Sequence, residues 1–273
     1  MKIAISTVVT EKYLKEFELL HFSSKDTGLD LEWHIVCNKG SESVVKALEP
    51  DARVVVKEFV GGDQWGSQES QDSFDQAIRC KFDAATNALN TGLPVLMVDC
   101  DIFFINKFDK ETLKIMQDES LDCVVSPHMQ QAPHIDDQWG VFNVGFVFVR
   151  SQEFLKKWKS VTESGQYKYE QKPMEKVLFD GGVSYDLFPF VYNFSWWRFN
   201  QNTTAARIND LMIFDGSIRY MASKVVSIHT HIIDDSEYPQ CKQFNGLVKD
   251  LMKSADNHKD ILSKINELSE SDQ

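Results

Sequence analysis

Val95-Leu96-Met97-Val98-Asp99-Cys100-Asp101-Ile102-Phe103-Phe104 is an apolar run broken only by two carboxylates one residue apart. Its flanks read as a buried strand of a parallel sheet. Two unpaired charges inside such a strand are very costly to bury, and a cation is the simplest resolution. Aspartates at i and i+2 of an extended chain point to the same side, roughly 7 Å apart along the backbone. Both can therefore reach one hard divalent ion or its water shell. The competing reading is structural: one aspartate caps the following turn and the other pairs with a lysine or arginine.

Working outward, the first half alternates strand-like and helix-like segments. Residues 2–9, 31–37 and 53–60 read as strands, with helices over 11–22 and 43–48 between them. Gly61-Gly62 closes the third strand, and residues 63–72 read as a polar loop. A helix over 73–89 stops at Asn90-Thr91-Gly92-Leu93-Pro94, and the strand with the paired acids follows. This alternation implies a mostly parallel sheet with right-handed crossovers. Further strands are expected at 121–126, 140–150, 185–194 and 224–233, and a helix at 154–161. Phe244, Leu247, Val248, Leu251 and Met252 share one helical face, and Ile261, Leu262, Ile265 and Leu268 continue the pattern. Residues 1–241 are expected to form one domain, with 242–273 a helical extension packed on it and fraying at its end.

Bulk properties narrow the function classes. The chain has 273 residues, 42% hydrophobic and 26% charged, which suits a globular α/β protein. No stretch of about 18 apolar residues marks a membrane span, and the N-terminal apolar run lacks a signal-peptide cleavage site. The five cysteines are far apart and form no CxxC pair, so neither a disulfide framework nor a zinc site is indicated. Reduced thiols and a cytoplasmic location are the expectation. A net charge of −12 argues against nucleic-acid partners. It also repels a polyphosphate unless a metal and local cations screen it.

Two further stretches give the pattern a family. Val141-Phe142-Asn143-Val144-Gly145-Phe146-Val147-Phe148-Val149-Arg150 follows the Asp pair, and Val225-Val226-Ser227-Ile228-His229-Thr230-His231 comes late in the chain. In this order, apolar strand with Asp-x-Asp, F-N-[ST]-G strand and late apolar strand ending in His, the chain resembles the nucleotide-diphospho-sugar transferases of the GT-A fold. Val144 stands where Ser or Thr is common, and the late strand carries two histidines.

That resemblance implies a Rossmann-like α/β fold with a mostly parallel central sheet and a helical C-terminus. It implies a UDP- or GDP-sugar donor, with Mn²⁺ or Mg²⁺ held by Asp99, Asp101 and a histidine. His229 is preferred because it closes the apolar run, with His231 as the alternative. Donor contacts are expected from Thr7 and Val8 at the end of the first strand, from Arg79 and Lys81 on the preceding helix, and from Asp99, Cys100, Asn143 and Gly145. Glu175 matches the acidic D-Q-x-x-[FL] segment beside the reacting sugar carbon, although Lys176 replaces its Gln; Asp180 is the rival carboxylate. Trp196, Trp197 and Asn200 combine aromatic faces with an amide, as an acceptor subsite for a glycan or other hydroxyl compound requires; core packing is the plainer alternative for the tryptophans. Family relatives favour a retaining outcome.

Two other classes bear weighing. Haloacid-dehalogenase-type phosphohydrolases also end a strand in Asp-x-Asp, which would make Asp99 a nucleophile and Asp234-Asp235 the later acidic pair. Their motif opens the domain, however, and is not followed by residues such as Ile102 and Phe103. A nucleotide-sugar-binding domain without turnover is the other alternative. Sugar, base and acceptor depend on pocket shape, as does oligomeric state on surface shape.

Overall fold

The computed structural model describes residues 1–59, 68–128, 140–199, 210–233 and 238–271. Gly61-Gly62, Asn200 and Asp234-Asp235 lie outside them. In chain order the first half runs β1 (Lys2–Val9), α1 (Leu14–Ser24), β2 (Asp30–Asn38), α2 (Glu42–Leu48), β3 (Arg53–Lys57), α3 (Gln68–Leu89) and β4 (Val95–Val98). Then come β5 (Ile102–Phe104), α4 (Lys110–Gln117), β6 (Cys123–Pro127), β7 (Phe142–Val149), α5 (Gln152–Glu163), α6 (Gln171–Phe179) and β8 (Tyr185–Leu187). The remainder is β9 (Leu211–Phe214), β10 (Ser217–Tyr220), β11 (Ser223–Lys224), β12 (Ser227–His229), α7 (Pro239–Ser254) and α8 (Lys259–Glu270).

A seven-stranded sheet in the order β3-β2-β1-β4-β7-β6-β8 forms the centre. Its strands are parallel except β7, which runs antiparallel to both neighbours. Side chains alternate across the sheet as period-2 geometry requires. Leu96 and Val98 face a core shared with Phe17, Phe146, Phe244 and Ile265, whereas Val95 and Met97 face Phe82, Phe154, Trp158 and Met174. Helices α1, α7 and α8 cover the first face, and α3, α5 and α6 the second. Burying each large apolar side chain stabilises the fold by about 1.5–3 kcal/mol. Both faces being covered explains why β4 reads as an apolar run and β7 as one broken only by Asn143.

The strand through the paired acids is shorter than its apolar run suggests. The Asp99 N–H donates to the Gly145 carbonyl at 2.9 Å and ends the ladder to β7. The Ile102 N–H then donates to the Asp99 carbonyl at 3.2 Å, closing a turn over Asp99-Cys100-Asp101. Residues 102–104 leave the large sheet and pair antiparallel with β12. The acids therefore stand in a turn between two sheets and not within an extended strand.

Other boundaries shift for local reasons. Helix α3 begins at Gln68, so 68–72 are helical and not loop. The 185–194 run is a strand only over Tyr185–Leu187, because Pro189 opens a turn closed by the Tyr192 N–H on its carbonyl. The 224–233 run divides into β11 and β12. Helix α7 buries Cys241, Phe244, Asn245, Val248 and Met252 and carries proline in its first turn, where a missing N–H costs least.

Candidate active site

The site lies at the carboxyl end of β4, the edge of a parallel sheet at which ligands bind. Asp101 Oδ2 is 3.2 Å from His229 Nε2, and Asp99 Oδ2 is 4.0 Å from the same nitrogen. One ligand atom from each of Asp99, Asp101 and His229 lies within 4.8 Å of the others. Ligands about 2.1 Å from one small cation stand about 3–4 Å apart, so the three fit a single ion. His231 Nε2 is 3.6 Å from Asp101 Oδ2, but its ring stacks on Tyr13 with centroids 5.2 Å apart.

Each member is held by a distinct part of the fold. Asp99 and Asp101 flank the turn, and His229 ends β12, its N–H donating to the Phe194 carbonyl at 2.9 Å. Gly145 provides the space. A Cβ there would collide with the His229 ring and come within 2.9 Å of Asp99 Oδ2. Asn143 Oδ1 accepts from the Gly145 N–H at 2.9 Å and from Asn193 Nδ2 at 2.8 Å. Asn143 and Asn193 are both buried.

Cationic and imidazole side chains already face the acids. Burial opposes ionisation of Asp101, but the His229 and His231 imidazoles outweigh it and hold its carboxyl far below the usual range. Burial pulls His229 down, yet Asp101 and then Asp99 raise it overall. Lys81 on α3 reaches Asp99 Oδ1 at 2.7 Å and Glu170 Oε1 at 3.0 Å. Burial disfavours its charge, and the two carboxylates more than restore it, leaving its pKa raised. The half-buried Cys100 thiol between the acids is pushed well up by desolvation and by the Asp101 and Asp99 carboxylates.

The other sequence-singled residues scatter around this centre. Thr7 is buried and lines a small cleft with Ser6, Lys81, Met97, Val98, Asp99 and Val144. Val8 packs on Val36, Cys80 and Ala84. Arg79 is exposed in a separate groove with Asp75, Glu163 and Lys168, so the structure brings Lys81 but not Arg79 to Asp99. Glu175 accepts the Val141 N–H at 2.8 Å and pairs with Lys172, which ties it to the entry of β7. Asp180 is exposed, 3.0 Å from Lys176. Trp197 stands edge-on to His229 with centroids 4.9 Å apart, and Trp196 stacks on Tyr238.

Two residues escaped the sequence reading. Glu170 is buried and shares Lys81 with Asp99, and Gln171 Oε1 is buried with no hydrogen-bond partner among the described residues. Glu170-Gln171, opening α6, matches an acid–Gln pair more closely than Glu175-Lys176, and that pairing was the available signal. Asn193 opens the aromatic and amide stretch 193–200 read as an acceptor subsite, but its place against His229 depends on contacts remote in sequence.

Comparison with known proteins agrees with this geometry. A family model described as nucleotide-diphospho-sugar transferase matches residues 39–256. A sequence search of curated proteins finds no match. Among solved structures, the apo form of mouse xyloside xylosyltransferase 1 is 13% identical with a TM-score of 0.52, covering 85% of this chain and 98% of its own. The galactosyltransferase LgtC in complex with donor and acceptor sugar analogues is 15% identical, also at 0.52, covering 98% and 96%. An active-site mutant of LgtC gives 15% and 0.51 over 91% and 96%. The fold is thus the GT-A fold, as the strand order and the aspartate turn suggested, and the chain belongs to the nucleotide-diphospho-sugar transferase family as a glycosyltransferase.

Proposed function

We propose that this chain is a metal-dependent glycosyltransferase that transfers a sugar from a UDP- or GDP-sugar to a hydroxyl of a glycan or similar acceptor, with retention at the anomeric carbon. The convergence of Asp99, Asp101 and His229 within one ion's reach carries the reading. An oxygen-rich set with one imidazole favours Mn²⁺ over Mg²⁺. Bound there, the ion would supply charge neutralisation for the departing nucleoside diphosphate.

The remaining work falls to the chain's own groups. Lys81 holds Asp99 in place and adds a positive charge close to where phosphates would lie, in a protein otherwise strongly acidic. Thr7, at the cleft wall, offers a buried hydroxyl with no partner among the described residues. The sugar carbon becomes oxocarbenium-like in transfer, as in glycoside hydrolysis, and a carboxylate nearby stabilises it. Glu170, one lysine from Asp99, suits that role better than Glu175, whose oxygens are held by Val141 and Lys172. Trp197, edge-on to His229, is the aromatic surface we assign to the acceptor side. A cytoplasmic location is in keeping with five free cysteines; no helix among the described residues is long and apolar enough to cross a membrane.

Thermal-shift screening of UDP, GDP and their sugar conjugates with and without Mn²⁺ tests the donor assignment. A ligand at 100 times its Kd adds about 2.7 kcal/mol to apparent stability. Asp101→Asn should lower transfer by about 10³-fold, in the range for removing one key electrostatic group, while circular dichroism stays native. Wild-type turnover by that variant would overturn the metal assignment.

A further inference from the structure

Asn193 combines three features that packing alone does not require. It is fully buried, its φ is +53°, and its side chain bonds to two others at the site. A non-glycine residue at positive φ is uncommon and persists where its surroundings over-determine it. Here the surroundings do so. The Asn193 N–H donates to Ser227 Oγ at 2.9 Å, and its carbonyl accepts from Arg198 Nη2 at 3.0 Å.

The hydrogen-bond directions follow from one fixed donor. The Gly145 N–H can only donate, so the Asn143 atom 2.9 Å from it is the carbonyl oxygen. That oxygen also faces Asn193 at 2.8 Å, so the atom meeting it is the Asn193 amide nitrogen. The opposite end of the Asn193 amide is then its oxygen, 2.7 Å from His229 Nδ1. A carbonyl oxygen accepts only, so Nδ1 must carry a proton. The lone pair of a neutral His229 is thereby directed from Nε2 toward Asp99 and Asp101. Without this chain, Nε2–H donating to Asp101 would be the favoured tautomer, and the ligand nitrogen would be blocked.

We propose that Asn193 is a positioning residue whose amide, oriented by Asn143 and the Gly145 N–H, fixes the His229 tautomer so that Nε2 is the nitrogen presented to a divalent cation. The inference rests on the metal reading above. Such partners of ligating histidines typically alter metal affinity 10–100-fold.

The experiment pairs wild type with Asn193→Gly, since glycine accepts positive φ without strain. In metal-free protein labelled with ¹⁵N-histidine at alkaline pH, wild-type His229 should show the Nδ1–H form and Asn193→Gly should move toward Nε2–H. Mn²⁺ affinity, read from loss of the free-ion electron paramagnetic resonance signal, should fall about 10–100-fold in the variant. A wild-type Nε2–H tautomer overturns the inference without need of any variant. Equal Mn²⁺ affinity in the two proteins overturns it while leaving the metal site standing. A wild type that shows the Nδ1–H form but takes up no Mn²⁺ overturns the metal reading and, with it, the purpose assigned to Asn193.

Discussion

Strands β1, β2 and β4 are held by apolar packing on both faces, whereas the described residues from Pro189 to His229 also lean on side chains that bond to backbone. In the first region Ile3, Ile5, Leu96 and Val98 meet Phe17 and Leu20 on one side, and Ala4, Val95 and Met97 meet Phe82 and Ala85 on the other. In the second, the Arg198 guanidinium donates to the carbonyls of Phe190, Asn193, Tyr192 and Pro127. Burial pushes the Arg198 pKa down to about 9. Ser195 Oγ donates to the His229 carbonyl, and Asn106 Nδ2 to that of Val225 at 2.7 Å. The first region sets where the sheet edge lies; the second sets how His229 meets the aspartates. Stability and site geometry are therefore separable by mutation.

The largest expected effect tests the packed region. Phe17→Ala removes a fully buried ring and should cost about 3–5 kcal/mol in denaturant unfolding. The folded fraction should keep its KM, and a large KM change would break the separation. Gly145→Ala tests the other side. Its Cβ meets His229 and Asp99, so transfer should drop about 10²-fold or more, with overpacking adding about 1–3 kcal/mol of destabilisation. Loss of stability with kcat and metal affinity intact would merge the two regions after all.

At neutral pH the smallest effect is that of His258, which joins the C-terminal helices to β10. Its Nε2 accepts the Ile218 N–H at 3.0 Å, and burial pulls its pKa down to about 4. An unfolded histidine, with a pKa near 6.5, binds the proton first as pH falls. The stabilisation is complete above about pH 6.5 and is lost on the way down to about pH 4, at up to about 1.4 kcal/mol per unit. His258→Gln retains an acceptor for Ile218. Urea midpoints at several pH values should fall less steeply for this variant than for wild type, and parallel slopes would count against the assignment.

The same contrast explains what the sequence could disclose. Strands 2–9 and 31–37, and the start of the strand at Val95, are legible because apolar runs bounded by turn residues are local signals. The polar opening of α3 offers no apolar face, so its start at Gln68 is invisible to periodicity. The break at Asp99 is hidden because Val95–Val98 and Ile102–Phe104 are equally apolar although they serve different sheets. Arg79 and Lys81 are two positions apart on a helix, about 200° around its axis, so both cannot face one site. Only the helix's rotation, fixed by Ile78, Phe82 and Ala85 in the core, selects Lys81. Asn193 and Glu170 act through partners 50 and 89 residues away, distances that no local pattern registers.

The turn at Cys100 has a mechanical consequence. Asp99 follows a strand of the seven-stranded sheet, while Asp101 leads into β5 and His229 ends β12 of the two-stranded ribbon. Whatever draws these three side chains together acts as a rivet through two layers that meet at a three-residue bend. A cation held by the three would tie the ribbon to the sheet across that bend.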